Sequence, residues 1–330
     1  MLRSIIEHGN PRQRTWATQT LSLSERLRGR REILSRLVLA TSTGQKRRTV
    51  YDARNGFELP GILIRTEGDP PSGDPAVDEA YDGAGATYDL YLDIFERNSL
   101  DDRGIRLDAT VHYDRDYNNA FWDGRQMVYG DGDGQLFERF TRSIDVIAHE
   151  LTHGVTQYEA GLVYSGQPGA LNESFSDVFG SLVKQRVLNQ TAAEADWLVG
   201  EGLFTANVQG VALRSLKAPG TAYDDPVLGK DPQPALLRDY QDVDYDNGGV
   251  HINSGIPNYA FYLTAVEIGG YAWEKAGRIW YIALKDRLRR DTNFERAATL
   301  ILQVAGELYG EDGPEYRAVR NSWETVGIVI

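Results

Sequence analysis

The chain has 330 residues, 41% of them apolar and 25% charged, with a net charge of −13 and no cysteine. That length suits one large or two medium domains with a sizeable core, and the acidic balance argues against nucleic acid as a partner, since phosphate binding draws on Lys and Arg. Without cysteine there is no disulfide, no thiol nucleophile and no thiolate metal ligand, so any metal site must come from His, Asp and Glu.

Residues 1–50 carry +8, from eleven Arg and Lys against three Asp and Glu, and the rest of the chain carries −21. A basic leader on an acidic body suggests a segment that docks on its own enzyme; a merely solvated basic helix face is the alternative, and charge alone does not choose. Within the leader, Asn10-Pro11 reads as an N-cap and first helical residue. Ser22 to Glu25 reads as a capping box opening a second helix to about Leu39. Thr41 to Arg48 then reads as a flexible, basic, cleavable linker. The N-terminal MLRSIIEHGNPRQRTW has no apolar signal-peptide core, and no window approaches a membrane span. The expectation is therefore no membrane partner, and either a non-classical export route or the cytoplasm.

From Thr49 the pattern changes to short β-type stretches, such as Pro60 to Arg65 and Leu107 to Tyr113, bounded by Gly, Asp and Asn. Gly68 to Pro75 reads as a surface loop, and Ala76 to Asn98 as a helix interrupted at Gly83 and Gly85. Beyond Ser143 the pattern is mostly helical, including Trp273 to Arg290 and Asn293 to Tyr309, with a Gly- and Asp-rich stretch around Asp242 to Gly249.

His149-Glu150-Leu151-Thr152-His153 is an HExxH sequence inside a helical pattern, since Ile144, Ile147, Ala148, Leu151 and Val155 recur every three or four residues. Residues four apart on a helix lie about 40° apart around the axis, so both imidazoles face one metal ion. Glu150 is turned too far to ligate, yet it can reach a water on that metal, which is the general account of this motif. With five His in the chain, roughly 0.006 such pentapeptides are expected by chance. Two His leave a four-coordinate zinc short of one protein ligand. Glu173 and Asp177 share one side of a second helical pattern at i, i+4, so one can ligate while the other orients a ligand imidazole.

These residues carry a family resemblance. His149 to Gly154 followed by Gly169 to Asp177 resembles the thermolysin family of zinc metallopeptidases, and so do Asn119 to Gly124, Gly130 to Gly134 and Asp246 to Gly255. The similarity spans roughly residues 49–330. It implies an α+β, two-domain zincin: a β-rich N-terminal domain over residues 44–158, a mainly α-helical C-terminal domain over 159–330, and the active-site helix in the cleft between them. A short basic helical propeptide over residues 1–43 precedes them. That leader is similar to the short precursor segment of the protealysin-like subfamily, chiefly at Ile6 to Asn10. It lacks the Pro-Pro-aromatic stretch usual there, so either the start lies upstream of Met1 or inhibition works differently.

By that resemblance, His149, His153 and Glu173 hold one catalytic zinc, Asp177 orients His149, and Asn172 supports His153. Glu150 is the general base, His251 and Tyr164 bind the oxyanion, and Asp246 orients His251 and favours its charged form. Asn119 and the Ala120 carbonyl hold the substrate backbone, and Arg214 grips a peptide carbonyl. Phe137, Phe140, Val146, Val199 and Leu213 line an apolar pocket, implying cleavage before hydrophobic residues; the bulk of Phe140 favours Leu, Val or Ile over Phe there. The implied protein is a neutral metalloendopeptidase, a monomer made as a self-processing zymogen, whose partners are peptide substrates and its own propeptide. A catalytically silent precursor serving as a peptide-binding protein is the alternative, disfavoured because a binder needs no base and oxyanion donor together.

The family's double calcium site maps onto Asp145, Lys184, Asp196, Leu198 and Glu201, of which Lys184 and Leu198 are not carboxylates. Lys184 is expected to neutralise Asp145, Asp196 and Glu201 in place of calcium, so the usual site looks lost.

Overall fold

The computed structural model describes residues 1–34 and 45–330. In chain order the elements are α1 (Leu2–His8), α2 (Pro11–Leu34), β1 (Arg48–Asp52), β2 (Ile62–Thr66), α3 (Pro75–Phe95), β3 (Leu107–Val111), β4 (Ala120–Trp122), β5 (Met127–Tyr129), α4 (Ile144–Tyr158) and α5 (Gly166–Leu188). The pairs β6 (Leu198–Val199) with β7 (Arg214–Ser215), and β8 (Asp224–Asp225) with β9 (Gly229–Lys230), are short antiparallel ladders. Helices α6 (Asp246–Asn253), α7 (Gly255–Ile268), α8 (Ala276–Ile282), α9 (Phe294–Tyr309) and α10 (Pro314–Thr325) complete the chain.

The chain forms two compact units, the first of residues 1–154, 200–213 and 223–230, the second of 155–199, 214–222 and 231–330. The division falls inside α4, so that helix is shared by both.

The first unit is built on a five-stranded sheet in the order β2-β1-β3-β5-β4. Strands β1, β3 and β5 are parallel neighbours, and β2 and β4 close the edges antiparallel. Helix α3 starts where Asp74 accepts the Ala76 N–H at 2.9 Å, ahead of Pro75, and it runs unbroken through Gly83 and Gly85. The expected interruption is absent because Gly83 serves packing: a Cβ there would stand 2.6 Å from Ile147 of α4. The two helices approach closely because that side chain is missing.

The leader also differs from expectation. A short helix, α1, precedes Asn10, and α2 runs through Ser22 to Glu25 without a break. The capping box forms instead at Asn10: its Oδ1 accepts the Gln13 N–H at 3.0 Å while Gln13 Oε1 accepts the Asn10 N–H at 2.8 Å. With the preceding turn already helical, the Ser22 sequence has no orphan N–H groups to cap. The part of the expected helix from residue 35 to 39, and linker residues 41–44, lie outside the described residues. From Lys46 the expected flexible linker is pinned, with Lys46 Nζ 2.6 Å from Asp89 and Arg48 Nε 2.7 Å from Glu67.

The leader docks within the first unit. Ile5, Trp16, Ala17 and Thr20 are buried, and Leu23 packs on the cluster of Tyr113, Tyr117, Phe121 and Val128. Trp16, Thr20 and Leu23 follow the i, i+4, i+7 spacing of a single helix face. The Trp16 ring lies 6.4 Å from that of Phe137, Arg12 pairs with Asp116, and Ser4 Oγ donates to the Val227 carbonyl at 2.9 Å.

The second unit is helical. Its core holds Phe175, Phe179, Phe261, Trp280 and Trp323, with the two indoles stacked at 6.4 Å. Helix α9 begins where Asn293 accepts the Arg296 N–H at 2.9 Å. The helix expected over Trp273 to Arg290 is shorter, since α8 gives way to a wider π-type turn over Ala283–Arg287.

Candidate active site

Helix α4 carries the HExxH residues, with Ile147, Ala148, Leu151 and Val155 buried along one stripe. The His149 and His153 rings lie 4.8 Å apart and perpendicular. One ligand atom each from His149, His153 and Glu173 fall within 4.8 Å of one another, and all three residues are buried. The donor set of two imidazole nitrogens and one carboxylate oxygen is one that zinc accepts, and it leaves a fourth position open. A carboxylate as buried as that of Glu173, 0% exposed, also needs a cation nearby, so the residues fit the metal.

Glu150 sits one position round the helix, where its Oε2 accepts the Trp122 N–H of edge strand β4 at 3.3 Å. Asn119 and Ala120 precede Trp122 on that edge, and the Asn119 carbonyl accepts the Gly130 N–H at 3.0 Å. The buried Tyr129 phenol is raised well above its ordinary range, by burial first and by the Glu150 charge second.

The Gly130 to Gly134 segment holds its shape through its two aspartates. Asp133 Oδ1 accepts the N–H groups of Gln135, Leu136 and Phe137 at 2.9, 2.8 and 3.1 Å, which fixes the approach to Phe137. Asp131 takes the Nδ1 side of His112 at 2.9 Å, and Asp74 takes the Nε2 side at 2.9 Å. The His112 pKa is raised to about 9, first by the Asp131 bond and then by that to Asp74, against the opposing effect of burial. Sequence reasoning passed over His112; the aspartates that hold it come from distant loops. Phe137 and Phe140 meet at 5.9 Å, and Phe137 also meets Phe204 at 5.7 Å. Val146 and Val199 are buried, and Leu213 is half-buried.

In the second unit, Asp246, Asn247, Gly248 and Gly249 all take left-handed conformations, with φ between 53° and 81°. Asn and Gly tolerate that region, and the turn brings Asp246 back over His251. Its Oδ2 accepts the His251 N–H at 2.9 Å and its Oδ1 lies 2.6 Å from Nδ1. His251 Nε2 then faces Tyr164 Oη at 3.2 Å and Glu173 Oε2 at 3.5 Å, and Tyr164 donates to Glu173 Oε1. Asn172 donates to the Leu162 carbonyl at 3.3 Å.

Asp177 is fully buried and takes both arms of the Arg214 guanidinium, at 2.8 and 2.7 Å. A third bond to it, from Asn258 at 2.8 Å, was not expected from the sequence. Of the acidic positions that the family resemblance maps to a calcium site, Asp196 accepts Lys184 Nζ at 2.7 Å, while Asp145 accepts the Ser143 hydroxyl and the Gly200 N–H.

The thermolysin metallopeptidase family matches this chain twice, its catalytic domain over residues 38–157 and its alpha-helical domain over 160–328. The chain belongs to that family. It is similar to the "Extracellular metalloprotease" of Pectobacterium carotovorum subsp. carotovorum, 52% identical over 100% of this chain and 95% of that protein. It is 56% identical to "Protease PrtS" of Photorhabdus sp. (strain Az29), over 86% of this chain and 76% of the other. In structure it resembles the precursor of protealysin, a metalloproteinase from Serratia proteamaculans, with a TM-score of 0.91 and 52% identity over 99% of this chain and 97% of that one. As a thermolysin-family protein with the His149, His153 and Glu173 cluster, the chain is a zinc metalloendopeptidase, and its precursor form agrees with the protealysin match.

Proposed function

We propose that residues 1–43 are an inhibitory pro-segment, and that its removal by the enzyme's own activity releases an endopeptidase cutting before medium-sized hydrophobic residues. The observation that carries the catalytic part is the convergence of His251 and Tyr164 on Glu173, with His251 held by Asp246.

Zinc, when bound, acidifies a water and polarises the scissile carbonyl. Glu150 takes a proton from the attacking water and passes it to the leaving amine. His251 and Tyr164 donate hydrogen bonds where negative charge develops on the carbonyl oxygen. Asp177 accepts the distal N–H of His149, which sets that ring's tautomer, and Asn172 supports His153. Asn119 and the Ala120 carbonyl hold the substrate backbone along the β4 edge, and the part of the Arg214 guanidinium that Asp177 leaves available grips a peptide carbonyl. Phe137, Phe140, Val146, Val199 and Leu213 receive the side chain after the scissile bond. Lys184, already paired with Asp196, takes the place of calcium among Asp145, Asp196 and Glu201.

The test compares wild type and Glu150→Ala with a denatured protein substrate, with and without a zinc chelator. The wild type shortens at its N-terminus and degrades the substrate; Glu150→Ala and chelated wild type do neither. A wild type that leaves both its own N-terminus and the substrate intact sinks the reading.

A further inference from the structure

Asp177 presents a carboxylate with about four accepting positions. Arg214 Nε and Asn258 Nδ2 both bond to Oδ2, at 2.8 Å each, and Arg214 Nη2 bonds to Oδ1 at 2.7 Å. These bonds occupy three of the positions, and the proposed function gives His149 a position on Oδ1. Asn258 is 0% exposed on α7, and its Oδ1 meets no hydrogen-bond partner among the described residues. Turning the amide over would set that oxygen against the carboxylate, so charge fixes which end faces Asp177.

A buried amide that leaves its oxygen unsatisfied is a costly residue at a packing position, where an apolar side chain of similar size would do better. The bond to Asp177 is the return on that cost. It also breaks the symmetry of the carboxylate. Arg214 bonds to both oxygens, whereas Asn258 adds a second donor to Oδ2 alone, so the two together oppose rotation of the carboxylate more than Arg214 does by itself.

We infer that Asn258 is a positioning residue, which acts through Asp177 to orient both the metal ligand His149 and the substrate-gripping Arg214. The inference rests on the proposed role of Asp177, and the two are separable by experiment.

Zinc affinity is measured by chelator competition on the full-length precursor in a Glu150→Ala background, which removes self-digestion, for Asn258→Ala, Asn258→Asp and Asp177→Ala. Loss of a group that supports a metal ligand weakens binding by about 10–100-fold, and that is expected for Asn258→Ala and Asp177→Ala. A weakened Asp177→Ala beside an unchanged Asn258→Ala overturns the role of Asn258 alone. No change in either removes the role of Asp177, and the inference with it. Asn258→Asp keeps the shape and makes the test independent of a folding defect. Its carboxyl, buried beside Asp177, can donate only when protonated. Its deficit relative to wild type at the same pH is expected to shrink as the pH falls from about 8 to about 6; a constant deficit overturns the inference, because the bond to Asp177 needs a donor and only the protonated carboxyl supplies one. With Glu150 restored, Asn258→Ala is expected to raise KM for peptide substrates as well as lower kcat, through Arg214.

Discussion

His251 Nδ1 lies 2.6 Å from Asp246 Oδ1, and the second oxygen of the same carboxylate holds the His251 backbone N–H at 2.9 Å. One side chain thus fixes both the backbone and the ring of its neighbour five residues on, so the Nε2 that faces Tyr164 has a defined place. His251→Ala should lower kcat by about 10²–10³ with little change in KM, the usual loss for one oxyanion donor. Asp246→Ala keeps the imidazole but frees it, and should fall between that variant and wild type. Steady-state kinetics on one peptide decide this; an Asp246→Ala enzyme as fast as wild type contradicts it.

His112 makes a pH-dependent contribution to stability. Its pKa is raised to about 9, from 6.5 unperturbed, by Asp131 and then Asp74. A raised folded value means that the contribution is complete below about 6.5 and is lost as pH climbs through about 9. At full strength it corresponds to roughly 3 kcal/mol, and on the order of 2 after solvent screening. Thermal midpoints of Glu150→Ala with and without His112→Asn should differ clearly at about pH 6 and converge at about pH 10. A gap that is the same at both ends would show that the aspartates hold His112 by shape alone.

Trp16 anchors the leader more than Arg12 does. Its indole is 7% exposed and packs on Phe137, whereas the Arg12 to Asp116 pair is solvated on both sides. Trp16→Ala should loosen the pro-segment and hasten the appearance of activity several-fold, because burial of an indole outweighs an exposed ion pair. Arg12→Ala should mature at close to the wild-type rate. The time course of N-terminal shortening, followed by gel and mass spectrometry, separates the two; equal effects count against the Trp16 anchor.

Lys184 Nζ is 2.7 Å from Asp196 Oδ2, and the ammonium is mostly buried. If it stands where a bridging carboxylate would hold calcium, added calcium should leave the melting temperature of the wild type almost unmoved. Lys184→Glu should melt lower in a chelator and regain stability with calcium, since buried carboxylates then lack a counter-charge. A large calcium-dependent rise in the wild type would argue that the ion still binds.

Phe140 meets Phe137 at 5.9 Å with the rings tilted, and it takes space that a smaller residue would leave. Peptides with Leu, Val or Ile after the scissile bond should be cut about tenfold faster in kcat/KM than the Phe analogue. Phe140→Val should narrow that gap. Equal turnover of matched Leu and Phe peptides would remove this account of specificity.

The HExxH helix was legible because its information is local: the 3.6-residue repeat that buries Leu151 and Val155 also places His149 and His153 on one face. The Asn10 cap and the Asn293 start of α9 were legible for the same reason, as a cap depends on three or four adjacent residues. Gly83 misled because a glycine read alone signals a break, and only the approach of Ile147, 64 positions away, shows why it is tolerated in α3. The chain by itself determined the metal-binding residue types, the glutamate beside them and the family. Tertiary structure alone decided that His112 lies between Asp74 and Asp131, that Trp16 covers Phe137, and that Asn258 meets Asp177. Each of those contacts joins residues far apart in sequence, so no periodicity records it; it exists only once the backbone has folded and burial has made an unsatisfied charge too costly to leave.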